Sequence, residues 1–228
     1  MWNNMEKIFS VAIDGPAGAG KSTVAKAAAA ELGAMYLDTG AMYRAIGLHF
    51  IRAGRLNDDA AIEREVQDVD ISVRFEDGAQ KMYLGGEDVS AAIRSPEASM
   101  AASRVGTIAA VRKHLVHLQQ EIAKGVSVIM DGRDIGTAVL PNATLKIYLT
   151  ASAEVRAIRR YNEMRDKGEK PVYHDVLDDI IERDYNDSHR AASPLMRAED
   201  AVLLDSSSLT VQQTLDEIKR LLAERVHG

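Results

Sequence analysis

The segment Gly15-Pro16-Ala17-Gly18-Ala19-Gly20-Lys21-Ser22-Thr23 decides how this chain begins to fold. Gly15 and Gly20 enclose four residues and are followed by Lys21 and Ser22, which is the pattern of a P-loop. The apolar run at 8–13 is typical of a buried parallel strand. The run at 22–32 is strongly helix-forming, and Gly33 is placed to end it. A strand, a glycine loop and a helix form the context that a P-loop requires.

The backbone of this loop explains its chemistry. Glycine tolerates φ values and close approaches that let successive N–H groups converge on phosphate oxygens, and the positive end of the following helix adds to the attraction. Lys21 can reach the β- and γ-phosphates, and the Ser22 hydroxyl can bind a Mg²⁺ that bridges them. A tight turn between packed elements is the alternative, but the flanks favour a site for a nucleoside triphosphate.

Length and composition narrow the class of protein. A chain of 228 residues suits one α/β domain with insertions, and 46% hydrophobic with 27% charged residues is typical of globular proteins. No run is long enough to span a membrane, and the start, with Met5 as an alternative first residue, lacks a signal-peptide core. The absence of cysteine excludes disulfides and thiolate metal sites. A net charge of −6 disfavours nucleic acid polymers. We expect a cytoplasmic monomer without membrane partners.

Charged residues follow two further strands. The strand at 34–37 leads into Asp38-Thr39-Gly40 and a helix at about 41–53, with Arg44 on its first turn. The strand at 126–130 leads into Asp131-Gly132-Arg133-Asp134. Because ligands of doubly wound sheets bind at the carboxyl ends of strands, Arg44 and Arg133 are well placed for a phosphate, and Asp134 for an amine or hydroxyl. A solvated Arg44 and a simple ion-paired turn at 131–134 are the alternatives.

Between these two strands the hydrophobic pattern changes to alternation with period two. Residues 70–75 and 81–84 alternate with period two around Glu76-Asp77-Gly78, which predicts an antiparallel hairpin. This inserted module either clamps a second ligand or is a decorative excursion. Ser95-Pro96 begins a helical region that runs to Lys124, with a break near Gly106. His114 and His117 share a helix face there, but no third metal ligand is evident.

The last third of the chain predicts two strands, a helical lid and a final helix. Strands at 145–149 and 201–204 flank two helices, one after Ser152 and one from about Asp175. The basic, Gly- and Pro-containing stretch at 165–171 between them predicts a lid that closes over phosphates, although a solvated helix face is the alternative. Arg183, Asp187 and Arg190 are spaced by four and three, which predicts one shared helix face. Thr210 and Gln213 form a capping box for the last helix.

Together these pieces resemble the bacterial-type cytidylate (CMP) kinases, a family of P-loop nucleoside monophosphate kinases. The resemblance covers essentially the whole chain and is carried by residues 13–23, 37–44, 131–137 and 183–190. It implies an α/β fold, a five-stranded parallel sheet with a P-loop, a small antiparallel β insertion and a helical lid. It also implies phosphorylation of CMP and dCMP by ATP with Mg²⁺.

The resemblance also assigns residues. For ATP it implies Gly15, Pro16, Ala17, Gly18, Ala19, Gly20, Lys21, Ser22, Thr23, Arg156 and Arg160, with Arg159 in the same lid and Ser22 on the metal. For the acceptor it implies Thr39, Arg44 and Arg133 at the phosphate, Ser103, Arg112 and Asp134 at the cytosine, and Arg183 and Asp187 at the ribose with Arg190 nearby. The catalytic groups implied are Lys21, Arg133 and Arg190.

The implied domains are a core at 5–56, 96–152 and 183–228, an acceptor-binding insertion at 57–95 and a lid at 153–182. A P-loop kinase of another nucleotide or small acceptor is the nearest alternative. A regulatory GTPase is disfavoured. Such proteins recognise guanine with the motif Asn-Lys-x-Asp, and no Asn in this chain is followed by Lys. The acidic charge and modest size disfavour a nucleic-acid motor. The sequence leaves open the preference between CMP and dCMP and the tolerance of UMP.

Overall fold

The computed structural model describes residues 8–76, 79–190 and 193–227. Within these ranges the strands are β1 (Ser10–Asp14), β2 (Met35–Asp38), β3 (Ile71–Glu76), β4 (Ala79–Leu84), β5 (Glu87–Asp88), β6 (Val128–Gly132), β7 (Leu145–Thr150) and β8 (Val202–Asp205). The helices are α1 (Lys21–Leu32), α2 (Thr39–Arg52), α3 (Asp59–Glu65), α4 (Pro96–Val105), α5 (Ala109–Ala123), α6 (Ala153–Asp166), α7 (Tyr173–His189) and α8 (Val211–His227). Short 3₁₀ turns lie at Val66–Asp68 and Ala92–Arg94, and a π-helical turn lies at Ile135–Val139.

The chain forms two compact units. The sheet unit comprises the described residues up to Tyr36 and from Gly125 onward, and the hairpin unit comprises Leu37–Lys124. A five-stranded sheet has the order β2-β6-β1-β7-β8, and β1 pairs in parallel with both β6 and β7. Val11, Ala12 and Ile13 of the central strand are fully buried, which explains why this strand is continuously apolar. The predicted α/β fold with a five-stranded parallel sheet is confirmed.

The core of the sheet unit lies between the sheet and two helices, α1 and α8. Leu215, Ile218 and Leu222 of α8 recur at helical spacing and are buried. The predicted capping box at its start is confirmed, because Gln213 N donates to Thr210 Oγ1 at 3.2 Å and Thr210 N donates to Gln213 Oε1 at 2.9 Å.

The start of α2 differs from the prediction. The Asp38 carboxylate accepts from Ala41 N at 2.9 Å and caps the helix, so α2 begins at Thr39 and not at Ala41. Arg44 therefore lies on the second turn and not on the first. Other helix boundaries were predicted correctly: Gly33 ends α1 in the left-handed conformation, Ser95 caps α4 with Pro96 at its first position, and the chain breaks after Val105.

In the hairpin unit, β3, β4 and β5 form an antiparallel sheet, as predicted for its first two strands. Two residues of the predicted turn, Asp77 and Gly78, lie outside the described residues, as does the alternative start at Met5.

Helices α2 and α4 pack closely at Gly47, where a Cβ atom would lie 2.7 Å from that of Ala101. The proposed functional boundaries, including an insertion at 57–95, stay predictions.

The two helices of the predicted lid, α6 and α7, pack against each other in the sheet unit. Ala157, Val176 and Ile180 are their buried contacts, and α7 begins slightly earlier than expected, at Tyr173. A movement of these helices stays a prediction. Among the described helices, none is both long and apolar enough to cross a bilayer.

Candidate active site

The loop between β1 and α1 is shaped by close backbone contacts. Gly15 has a φ of +147°, and a Cβ atom there would lie 1.9 Å from the carbonyl oxygen of Leu149 in β7. Gly18 has a φ of +75°, and its Cβ would lie 3.3 Å from that of Arg156. Side chains at either position would clash or strain the backbone. The glycines therefore allow the loop to pack against the sheet and α6 while it leads into the N-terminus of α1.

Lys21 is the first residue of α1 and is 5% exposed. Its Nζ donates to the carbonyl oxygen of Pro16 at 2.7 Å. The pKa of Lys21 is lowered to about 7, mainly by burial and also by the positive charge of Arg133. The negative charges of Asp131, Asp14 and Asp187 raise the pKa but do not cancel this effect. A buried ammonium that lacks full compensation is stabilised by an incoming anion, so this site favours a polyphosphate.

Asp131 connects the P-loop to β6. It is buried, and its Oδ2 accepts from Ser22 Oγ at 2.7 Å while its Oδ1 accepts from Tyr36 Oη at 2.7 Å. Sequence reasoning named Ser22 but not Asp131 as a site residue. The available signal was a carboxylate directly after a buried apolar run. A hydroxyl next to a carboxylate offers the hard oxygen ligands that Mg²⁺ prefers.

Asp14, the last residue of β1, was also missed. Its buried carboxylate accepts from Ile135 N and from Gly136 N, both at 2.7 Å. Burial raises the pKa of Asp14 to about 6, since it outweighs the two backbone N–H groups, and Asp134 raises it further. Asp14 thus holds the π-helical turn that follows Asp134. The available signal was an acid placed between a buried strand and the first P-loop glycine.

The segment after β6 brings several predicted residues together. Arg133 Nε donates to Asp187 Oδ2 at 2.6 Å. Burial alone would raise the pKa of Asp187, but the Arg133 guanidinium, with Arg190 and Arg183, holds it below its usual value. Asp134 is buried, and its Oδ1 lies 3.8 Å from Arg190 Nη2. Two arginines and two carboxylates therefore form one ionic cluster in the sheet unit.

Arg190 lies directly after the last residue of α7, and it is near Asp187 as predicted, since the charges of Arg190 and Arg183 both lower the pKa of that carboxyl. Helix α7 ends at His189, and Arg190 has extended backbone with φ −64° and ψ 142°. Beyond the helix, Leu195 N donates to the carbonyl oxygen of Asp187 at 2.7 Å, and Arg190 Nε donates to Ser193 O at 2.6 Å. Arg190 thus bonds Ser193 O through its Nε, while its Nη2 lies near Asp134. Arg183 is on the helix and exposed.

The three arginines of α6 have different surroundings. Arg156 is buried, and its Nη1 donates to the carbonyl oxygen of Ala17 in the P-loop at 3.0 Å. Its guanidinium also donates to both carboxylate oxygens of Asp184, at 3.0 and 2.6 Å. Arg159 instead donates to Ser206 O at 2.7 Å, and exposed Arg160 donates to Glu163 at 3.1 Å. Of these three, Arg156 is the one that contacts the P-loop in this structure.

Two predicted acceptor residues lie at the start of α2 in the hairpin unit. Thr39 is its first residue and is buried. Arg44 Nη2 donates to Asp38 Oδ2 at 2.9 Å, and this pair is partly exposed. Gly40 lies against it, because a Cβ atom there would come within 3.1 Å of Arg44 Nη1. Asp38, which the sequence analysis left unassigned, therefore both caps α2 and holds Arg44.

Two predicted base-reading residues lie on α4 and α5 of the same unit. Ser103 is exposed, and its Oγ donates to Ser99 O at 3.4 Å. Arg112 is buried, with its Nη1 donating to Gly106 O at 3.4 Å and its Cζ 5.8 Å from the centre of the Tyr43 ring. Arg112 is therefore buried among these contacts, whereas the Ser103 side chain lies at the surface.

A metal site at His114 and His117 finds no support in the described ranges, where no group of three or more His, Cys, Asp or Glu side chains is arranged to hold an ion. Magnesium bound mainly by nucleotide phosphates does not need such a group. The pair formed by Ser22 and Asp131 is therefore the better fit for a metal.

Comparison with known proteins assigns the family. The family model described as Cytidylate kinase matches residues 11–224. The cytidylate kinase of Caldicellulosiruptor bescii is 51% identical over 218 residues, which cover 95% of this chain and 96% of that protein. The cytidylate kinase of Ligilactobacillus salivarius is 47% identical over 224 residues, covering 98% and 100%.

A crystal structure of an uncharacterized protein from Eubacterium ventriosum has a TM-score of 0.52 at 12% identity and covers 96% of this chain and 99% of that one, so it shares the fold alone. The family assignment rests instead on the sequence matches, which span almost the full length of the chain. This chain belongs to the cytidylate kinase family.

Proposed function

We propose that the protein transfers the γ-phosphoryl group of ATP directly to CMP or dCMP, giving ADP and CDP or dCDP. Membership of the cytidylate kinase family assigns this reaction class. The observation that carries the proposal is the electrostatic environment of Lys21, whose pKa is influenced by Arg133 and Asp187 as well as by Asp131. The charges of the donor-site lysine and of the arginine proposed for the acceptor therefore interact, which supports a donor site and an acceptor site that share one transferring group.

The P-loop is the proposed ATP site. Its backbone N–H groups and the N-terminus of α1 bind the phosphates, and Lys21 neutralises charge on the β- and γ-phosphates. Arg156 supports the loop through Ala17 O and lies close enough to contribute charge. Arg160, which was also predicted to bind ATP, is exposed and paired with Glu163 in this structure, so we assign it only a contact made after lid closure.

Ser22 and Asp131 are the residues that would hold Mg²⁺. Their 2.7 Å hydrogen bond places a hydroxyl and a carboxylate together beside the P-loop. The ion would supply positive charge that offsets the charge on the β- and γ-phosphates. Tyr36 orients the same carboxylate through its other oxygen, which keeps Asp131 directed toward Ser22.

The acceptor site uses the remaining residues. The CMP phosphate is held by Arg44 and Arg133, together with Thr39. The cytosine is recognised by Asp134, Ser103 and Arg112. The ribose lies near Arg183, Asp187 and Arg190. This assignment is supported by the resemblance residue by residue. The ionic cluster of Arg133, Asp187, Asp134 and Arg190 adds support, because such pairs can exchange a carboxylate for a substrate phosphate or hydroxyl.

The chemistry needs no covalent intermediate and no general base. A phosphate monoester has a second pKa near 6, so the CMP phosphate is already an anionic nucleophile at neutral pH. The protein then has to align two nucleotides in line and neutralise the charge that develops, which Lys21, Arg133 and Arg190 do. Closure of α6 and α7 would exclude water and prevent wasteful hydrolysis of ATP.

An acceptor screen tests the proposal. ADP release from ATP is measured with CMP, dCMP, UMP, AMP and GMP at equal concentrations, and without an acceptor. We expect CMP and dCMP to be preferred, and Lys21→Ala to lower the rate by about a hundred-fold or more. Equal rates with all acceptors, or a preference for a purine, would contradict the assignment of the cytosine-reading residues and favour a kinase of another acceptor.

A further inference from the structure

One side chain of the inserted hairpin, Gln80 of β4, bonds the backbone of Asp38, the residue that caps α2. Its Oε1 accepts from Asp38 N at 2.7 Å, and its Nε2 donates to Asp38 O at 3.2 Å. One carboxamide thus satisfies both backbone groups of one residue, as a neighbouring strand would. The two bonds also fix the orientation of the amide, since exchange of its O and N atoms would break both.

The hairpin side of this contact is firmly placed. Gln80, Met82 and Leu84 alternate along β4 on one face, and Met82 and Leu84 are buried. Gln80 Nε2 also lies 3.2 Å from Met82 Sδ, so the amide packs against its own strand. The side chain of Gln80 is half-buried. Rotation of Gln80 away from Asp38 would leave backbone groups with poorer partners.

The side chain of Asp38 connects this contact to Arg44. Its Oδ1 accepts from Ala41 N as the cap of α2, and its Oδ2 accepts from Arg44 Nη2 at 2.9 Å. Gln80 holds the backbone of Asp38, and the Asp38 carboxylate holds the guanidinium. Two bonded steps therefore connect the antiparallel sheet to an arginine that we assign to the acceptor phosphate.

We propose that Gln80 is a positioning residue for phosphate recognition, acting on Arg44 through Asp38. The inference rests on the proposed function, because Arg44 must bind the CMP phosphate for Gln80 to matter. It assigns the hairpin a defined task, which is to hold the start of α2 so that the remaining N–H groups of Arg44 face the phosphate. Gln80 itself need not touch the nucleotide.

The test uses two variants of Gln80. Gln80→Leu keeps the size of the side chain and removes both hydrogen bonds. Gln80→Glu keeps the oxygen that accepts from Asp38 N, but it places a second acceptor oxygen against the carbonyl oxygen of Asp38. Tyr83→Phe is the matched control, because it removes a 3.0 Å bond to Glu76 from the other face of β4. We expect both Gln80 variants to raise KM for CMP about three- to ten-fold with KM for ATP and kcat nearly unchanged. Inhibition by cytidine, which has no phosphate, should not change.

A double-mutant cycle separates positioning from general damage. In an Arg44→Ala background, Gln80→Leu should have no further effect on KM for CMP, because the residue it positions is absent. Additive effects, or an equal loss of cytidine binding, would overturn the role of Gln80. If Arg44→Ala alone leaves KM for CMP unchanged, the phosphate assignment of Arg44 fails first. If Arg44→Ala raises KM but both Gln80 variants do not, only the positioning role fails.

Discussion

Two turns leave neighbouring strands of the same sheet and are built differently. The turn after β1 is the P-loop, where glycines at positions such as 15 and 18 let the backbone pack against Leu149 and Arg156. The turn after β6 carries Arg133 and Asp134, and its shape depends on a distant carboxylate, Asp14, which accepts from Ile135 N and Gly136 N. One turn presents backbone and the other presents side chains.

The difference suits two ligands of different kinds. A triphosphate offers many equivalent oxygens, which backbone N–H groups bind without reading a base. A nucleoside monophosphate must be recognised by its base and sugar, and this requires side chains with particular donors and acceptors. We therefore expect changes in the first turn to affect turnover, and changes around the second to affect which acceptor is used.

The largest effect is expected from the one charged side chain of the P-loop. Lys21→Ala should lower kcat by about a hundred-fold or more, because it removes charge directed at the transferring phosphoryl group. Lys26→Ala is the matched control, since Lys26 is exposed on the same helix. Steady-state kinetics with a thermal unfolding scan make the measurement. Near-normal turnover in a folded Lys21→Ala protein would refute the triphosphate site.

The two proposed phosphate arginines should separate acceptor binding from ATP binding. Arg44→Ala and Arg133→Ala should each weaken CMP binding by about ten- to a hundred-fold, the usual cost of losing charged hydrogen bonds. ATP affinity should stay much closer to normal. Titration calorimetry with each nucleotide measures both affinities, and Arg52→Ala, which removes an exposed ion pair between α2 and Glu87 of β5, is the control. Loss of ATP binding with CMP binding intact would reverse the assignment.

Asp134→Asn should change the choice of acceptor more than its binding strength. Cytosine presents an amine at its 4-position and uracil a carbonyl, so a carboxylate there favours cytosine by about ten-fold or more. The asparagine keeps the shape but adds a donor that suits uracil. The ratio of kcat/KM for CMP over UMP should therefore fall. An unchanged ratio, with both values reduced, would mean that buried Asp134 positions Arg190 without reading the base.

The smallest expected effect is a proton taken up with ATP. Burial lowers the pKa of Lys21 to about 7, so at pH 8 most of the free protein carries a neutral Lys21. The negative triphosphate raises that pKa on binding, and up to about one proton should be bound. As the pH falls below 7 the free Lys21 becomes protonated as well, so uptake should decrease and should be almost lost about two pH units below that pKa. Calorimetry in buffers of different ionisation enthalpy measures it, and Lys21→Met should eliminate it.

Local features of the fold could be predicted from the sequence. The P-loop with its strand and helix, the capping box of α8, the Ser95-Pro96 start of α4 and the Gly33 end of α1 all agree with the structure. Each depends on residues that lie within a few positions of one another. Where a local signal was misjudged, as at Asp38, the consequence was local too, and the start of α2 moved by two residues, from Ala41 to Thr39.

The partners of the charged residues were decided only by the tertiary structure. Asp14 meets Ile135 and Gly136 at a sequence distance of more than a hundred residues, and Ser22 meets Asp131 at a similar one. Arg190 donates to Ser193 O and lies near Asp134, which is 56 residues away in the sequence. Sequence motifs identified the residue types that the chemistry needs. The pairing of those residues depends on which strands become neighbours and where a helix stops, and these follow from packing of the whole chain.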